Sequence, residues 1–181
     1  MAEVGLFTRC GSGVIIDVMS DIPTAEVIEP STPVEPETIV PKVFRVMKHD
    51  PVSKRPIVGS GASELGVRPD IDIGSDSDGN VVTTGQGMSV VPNWRNLDFT
   101  RIPKRLKNIS EGARGPNSTS CFTLGTGPFE SGAISDGLTL VPDSSVEPIA
   151  HGVVAPTKKV SLDQFQADLA ATEPMWQIEE N

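Results

Sequence analysis

The chain has no tyrosine, and aromatic residues make up only 4% of it. A core with so few rings has to be filled with Val, Ile and Leu, a composition that favours strands over helices. Cysteine is equally scarce. Cys10 and Cys121 stand in unrelated contexts with no CxxC pair, which argues against a zinc site, a redox pair or a disulfide framework. No apolar run approaches the roughly 18 residues of a membrane span. Gly13–Met19 is too short for a signal-peptide core, and Asp17 interrupts it. Positive charge is also in deficit: 15 Lys and Arg face 24 Asp and Glu, for a net charge of −9. A chain this acidic is a poor general binder of nucleic acid or anionic membrane.

What is abundant is turn chemistry, with 17 glycines and 16 prolines. The prolines crowd into residues 21–41, where Pro23, Pro30, Pro33 and Pro36 alternate with acidic residues. Such a segment buries too little apolar surface to offset its ordering entropy and reads as a stiffened linker. Residues 1–20 form a separate leading segment whose one apolar run is Val14-Ile15-Ile16. Residues 42–181 form the folded domain. Lys42–Lys48 reads as its first strand, with Val43, Arg45 and Met47 on one face and Phe44 and Val46 on the other. Further strands are expected at Val81-Val82, Gly87–Pro92, Cys121–Leu124, Leu138–Val141 and Ile149–Val154. Asn93 caps a short helix over Trp94–Leu97, Arg101–Lys107 carries Ile102 and Leu106 at helical spacing, and residues 110–120 read as a mobile loop. Ser161 with Gln164 forms a capping box for a helix whose Leu162, Phe165 and Leu169 share an inward face, and Trp176 packs back on the domain. Short strands followed by one longer helix make an α+β domain with a mixed, mostly antiparallel sheet.

Two familiar motifs fail on inspection. Gly59-Ser60-Gly61 has Glu64 where a dinucleotide fingerprint needs its third glycine. The Asp70–Asn80 cluster places Gly74 and Gly85 at ligand positions of a calcium loop, so it reads as an Asx turn. Three features stay open. Arg45, in mid-strand, is either an edge residue paired with an acid or a fork facing a cleft, where it can hold a phosphate. His151, placed in mid-strand beside Gly152, is either a core histidine bonded to backbone or a cleft residue; glycine there marks close approach of a ligand or another backbone. The cations Arg101, Lys104, Arg105 and Lys107 are a solvated face or a contact for a nucleotide pyrophosphate.

Several of these pieces recur in a fixed order: Val43-Phe44-Arg45-Val46, Gly87–Asn93, Leu138–Pro142, His151–Pro156 and Val160–Phe165. Over about residues 42–170 this set resembles the type VI secretion effectors that act in the cytoplasm and have an ADP-ribosyltransferase-like fold. The resemblance implies a split sheet clasping NAD as substrate, with no metal. Arg45 would hold a phosphate or the nicotinamide ribose, Ser89 would support the cleft and His151 would line it. Glu147 and Glu130 are candidates for the catalytic acid by their nearness in sequence. It further implies a toxin secreted through a dedicated apparatus, acting in a target cell's cytoplasm on an acceptor macromolecule of unknown kind, and neutralised by an immunity protein. The alternatives are a non-catalytic adaptor whose acidic surface meets a basic partner, and hydrolysis dependent on a cysteine or on His151.

Overall fold

A computed structural model describes residues 39–81, 85–145 and 147–181; the leading segment, most of the linker, Val82 and Cys10 lie outside them. Among the described residues nine strands and one α-helix make an α+β fold. In chain order they are β1 (Val43–Lys48), β2 (Asn80–Val81), β3 (Met88–Val90), β4 (Thr119–Leu124), β5 (Gly132–Ser135), β6 (Leu138–Pro142), β7 (Gly152–Pro156), β8 (Val160–Ser161), α1 (Leu162–Ala171) and β9 (Gln177–Ile178). They form three sheets, ordered β1-β4-β9, β3-β7-β6-β5 and β2-β8. Every pairing of named strands is antiparallel. Parallel contacts occur only as isolated bridges such as Pro41 with Gly127.

The two larger sheets meet at one point. Phe44 of β1 and Val91, just past β3, exchange both backbone hydrogen bonds, at 2.8 and 3.0 Å. On its other edge β1 pairs with β4 along its whole length, from Val43 opposite Leu124 to Lys48 opposite Thr119. β1 and β4 are covered on both faces. Val43, Met47, Phe122 and Leu124 join one core with Leu138, Leu140, Val154, Phe165 and Trp176. Phe44 and Cys121 join a second core with Trp94, Ile102, Leu106 and Ala113, from the segment between β3 and β4. The alternation expected along β1 is thus realised, each face meeting a different core.

Local chemistry explains most elements. Asn93 accepts from the Arg95 amide and opens a single 3-10 turn, Trp94–Asn96. Asp76 accepts from the amides of Asp78 and Asn80 at 2.9 and 3.0 Å, closing an Asx turn with Gly79 at φ 75°. Ser161 accepts from the Gln164 amide at 3.1 Å and starts α1. The capping box is only half formed, because the Gln164 side chain reaches Asp168 instead. Trp176 is buried and donates to Thr172 Oγ1, which donates on to the Leu169 carbonyl.

Several expectations need correcting. Arg101–Lys107 forms only the 3-10 turn Lys104–Leu106, since Pro103 sits at its start; Ile102 and Leu106 are buried all the same. Residues 110–120 are a held loop. The Arg114 amide bonds to Phe99, the Gly115 amide to Ile102, and β4 begins at Thr119. The fold reaches into the linker, because the Val40 carbonyl accepts from Thr126 and Gly127. β7 begins at Gly152, so His151 stands just before the strand rather than inside it. The glycine does mark a close approach: a Cβ on Gly152 would lie 3.0 Å from both Phe129 Cζ and the Val141 carbonyl oxygen. β5 and β9 carry no strand signal in the sequence, because each is short and has a single large apolar residue.

Replacing Trp176 by Ala is expected to cost about 3–5 kcal/mol, whereas Ser161→Ala should cost about 1 kcal/mol. Denaturant midpoints of the two variants test this ranking.

Candidate functional site

The seam between the two large sheets carries the site. Arg45, one residue beyond the Phe44–Val91 bridge, is 92% removed from solvent. Its Nη1 donates to the Ser89 carbonyl of β3 at 2.7 Å, and its Nη2 to the Glu64 carbonyl at 3.4 Å. Its Nε is buried and finds no partner among the described residues. An unpaired donor inside a protein carries most of its desolvation cost. Arg45 thus joins the sheets across the seam and still has hydrogen-bonding capacity to offer.

Beside it lies a cleft of about 590 Å³, within the range of about 300–1,000 Å³ common for small-molecule sites. β1 contributes Arg45, β3 contributes Ser89, and His151 enters from the chain leading into β7. Ser89 Oγ lies 3.0 Å from His151 Nε2. Three of the residues singled out in the sequence therefore share one cleft. Glu147 and Glu130 are exposed and are not among its lining residues.

The carboxylates that do line the cleft are Asp72 and Asp98. Asp72 belongs to the cluster that resembled a calcium loop, but its work is ionic. Arg68 donates to it through Nε at 3.0 Å, Nη2 at 2.7 Å and its own amide at 2.9 Å. Partial burial would raise the Asp72 pKa. The Arg68 hydrogen bonds, with the charges of Arg68 and Arg45, outweigh that and hold it below the ordinary 3.8. Asp98 accepts from the Thr100 hydroxyl and amide through one oxygen, at 2.6 and 2.7 Å. Those bonds, with Arg114 and Arg101 nearby, keep it ionised. Nothing in the sequence distinguished Asp98 from other turn aspartates; Arg68 and Asp72 carried only a weak i,i+4 signal.

Arg101 completes the set. It lines the cleft and makes no ion pair among the described residues. The basic run that was read as one patch is in fact divided. Arg101 goes to the cleft, while Arg105 is drawn the other way, onto Glu180 and the carbonyls of Asn117 and Thr119. Burial pulls the Arg45 pKa down to about 10, opposed by Asp72 and reinforced by Arg101 and Arg68. Arg45 and Arg68, the latter's pKa raised by its hydrogen bonds to Asp72, remain charged at neutral pH. Three cations and two carboxylates thus face the cleft of a strongly acidic chain, an arrangement suited to an anion that the fork of an arginine can bind.

Other chemistries have less to stand on. Cys121 is fully buried in the second core, and desolvation followed by the charge of Glu180 pushes its thiol up to about 12. It is an inert hydrophobe rather than a nucleophile. Among the described residues no group of three or more His, Cys, Asp or Glu could hold a metal ion, and no helix is long and apolar enough to cross a membrane. Gly59 and Gly61 serve Glu64, whose carboxylate takes the Gly61 amide at 3.0 Å while its carbonyl receives Arg45. No family model, curated protein or solved structure matches the chain.

The Asp72 shift has a definite sign. A carboxyl held below its ordinary value contributes stability that is complete above about pH 3.8 and is lost as pH falls through the folded-state value. Asp72→Asn should therefore be less stable than the parent at pH 6. The gap should narrow as pH falls below 3.8. Melting temperatures of both proteins at a series of pH values check this.

Proposed function

We propose that the cleft binds NAD and that the chain is an ADP-ribosyltransferase-like toxin domain. The observation that carries this reading is the buried Arg45 guanidinium, with an unpartnered Nε, at a seam flanked by Arg68 and Arg101. A pyrophosphate or a phosphate-bearing ribose is the kind of group such an arrangement neutralises. The ordered resemblance to type VI secretion effectors supports the same assignment and brings the rest of the biology with it. That biology is delivery by a secretion apparatus into a target cell's cytoplasm, an acceptor macromolecule, and an immunity protein in the producing cell.

In this reading Arg45 fixes the anionic part of NAD, Ser89 holds the arginine through its carbonyl, and Ser89 Oγ orients His151 along the cleft wall. Departure of nicotinamide leaves an oxocarbenium-like ribose, and a carboxylate facing it lowers the barrier. Glu147 and Glu130 stand outside the lining, and Asp72 is engaged by Arg68. Asp98, with its second oxygen uncommitted, takes the role of that carboxylate. The same displacement of both glutamates favours a second reading, a non-catalytic module that binds a nucleotide anion on this cleft.

Purified protein is expected to bind NAD in calorimetry and to consume it, alone or with cell lysate. Arg101→Ala, at an exposed position, should weaken binding about tenfold, the effect of one charge-assisted contact of about 1.4 kcal/mol. Arg45→Ala should abolish binding, provided circular dichroism shows it folded. Binding without consumption would select the non-catalytic module. Absence of binding would remove NAD altogether.

A further inference from the structure

The net charge of −9 conceals a sharp division. The segment between β3 and β4, residues 93–117, holds six cations (Arg95, Arg101, Lys104, Arg105, Lys107 and Arg114) against the acids Asp98 and Glu111. The rest of the chain holds nine cations and 22 acids. Pairing is divided in the same way. Outside the segment, Lys42, Lys48, Arg55, Arg68 and Lys159 have ion pairs, while Arg45, Lys54 and Lys158 have none among the described residues. Inside it, among the described residues, only Arg105 of the six does.

These free cations are contiguous. Arg101 and Arg114 both act on Asp98. The Lys104 amide bonds to the Gly115 carbonyl, next to Arg114, at 3.0 Å. Lys104 and Lys107 lie one 3-10 turn apart on either side of the buried Leu106. Among them is an exposed aromatic ring. Phe99 is 47% exposed, and its amide carbonyl receives the Arg114 amide. The ring covers Gly112, where a Cβ would come within 2.6 Å of its Cγ and Cδ2. One part of Phe99 is thus seated on bare backbone while the rest faces water. The second core, built on Trp94, Ile102 and Leu106, packs this cap against β1 and β4.

We infer that residues 95–114 form a docking surface for single-stranded nucleic acid, with Arg101, Lys104, Lys107 and Arg114 on phosphates and Phe99 beneath a base. Unpaired cations around an exposed ring are the elements of sequence-tolerant strand binding. An acidic protein would use the cations but has no call on a flat ring held beside them. The acidic remainder of the chain does not forbid this. At physiological ionic strength charges are screened over about 8 Å, so a strand lying on the cap feels the cap's charges first. Arg101 belongs to both cap and cleft, so a bound strand would lie at the mouth of the cleft. The inference goes beyond the NAD reading and does not depend on it.

The test is fluorescence anisotropy of a labelled single-stranded oligonucleotide of about 16 nucleotides, titrated with the full chain. With four phosphates neutralised, affinity should fall about 50-fold between about 50 and 200 mM salt. Lys104→Glu with Lys107→Glu should weaken binding at least about tenfold. Phe99→Ala should weaken it about fivefold or more. NAD binding by these variants should be unchanged, since none of the three residues lines the cleft. Absence of binding, or binding indifferent to both sets of substitutions, would overturn the inference. Equal competition by polyglutamate of matched charge would also overturn it, pointing to an acidic protein instead.

Discussion

A buried arginine at the junction of two sheets is the constraint around which this protein is arranged. β1 could have continued its pairing with β3 past the Phe44–Val91 bridge, but the Arg45 side chain crosses the gap and bonds to the Ser89 carbonyl instead. Burying a guanidinium is costly unless its donors are met. The surrounding chain is shaped to meet them in part. Gly59 and Gly61 let Glu64 fold back so that its carbonyl receives the second nitrogen. Asp72, though committed to Arg68, supplies a compensating field. The unmet Nε marks where the accommodation is incomplete, and incomplete accommodation of a buried charge is the physical basis for expecting an anionic ligand.

The second core gives that seam a roof. Residues 93–117 contribute Trp94, Ile102, Leu106 and Ala113 to the far face of β1 and β4, and they contribute Asp98, Thr100 and Arg101 to the cleft. The same segment also ties to the C-terminus. Arg105 meets Glu180, which accepts from the Cys121 amide beside β9. Apolar burial fixes the segment, and its polar residues are then sorted by position, Arg101 to the cleft and Arg105 to the tail. A run that looks uniform in composition therefore does two jobs.

Much of the fold was legible in local patterns. The Ser161 cap, the Phe165 and Leu169 face, the Asx turn at Asp76 and the alternation along β1 all depend on residues within a few positions of one another. β5 and β9 were not legible, because a strand of two to four residues is defined by its partner rather than by its own composition. The cleft was legible in part. Arg45 and His151 could be singled out as polar residues at odd positions in apolar runs, and Ser89 only through the ordered resemblance. The acids could not be placed. Glu147 and Glu130 had sequence nearness to recommend them, yet the chain turns both outward. Asp98 and Asp72 reach the cleft through loops whose course no spacing rule describes.

Sequence alone determined the strand-rich α+β character, the start of the helix and the turn chemistry, since these follow from side-chain shape and nearest-neighbour hydrogen bonding. Tertiary structure alone decided that Arg45 is buried at a seam rather than paired at an edge, that the basic run divides, that Cys121 is sealed in a core, and which carboxylates face the cleft. Those outcomes depend on desolvation and on charges brought together from distant parts of the chain, and both are properties of packing.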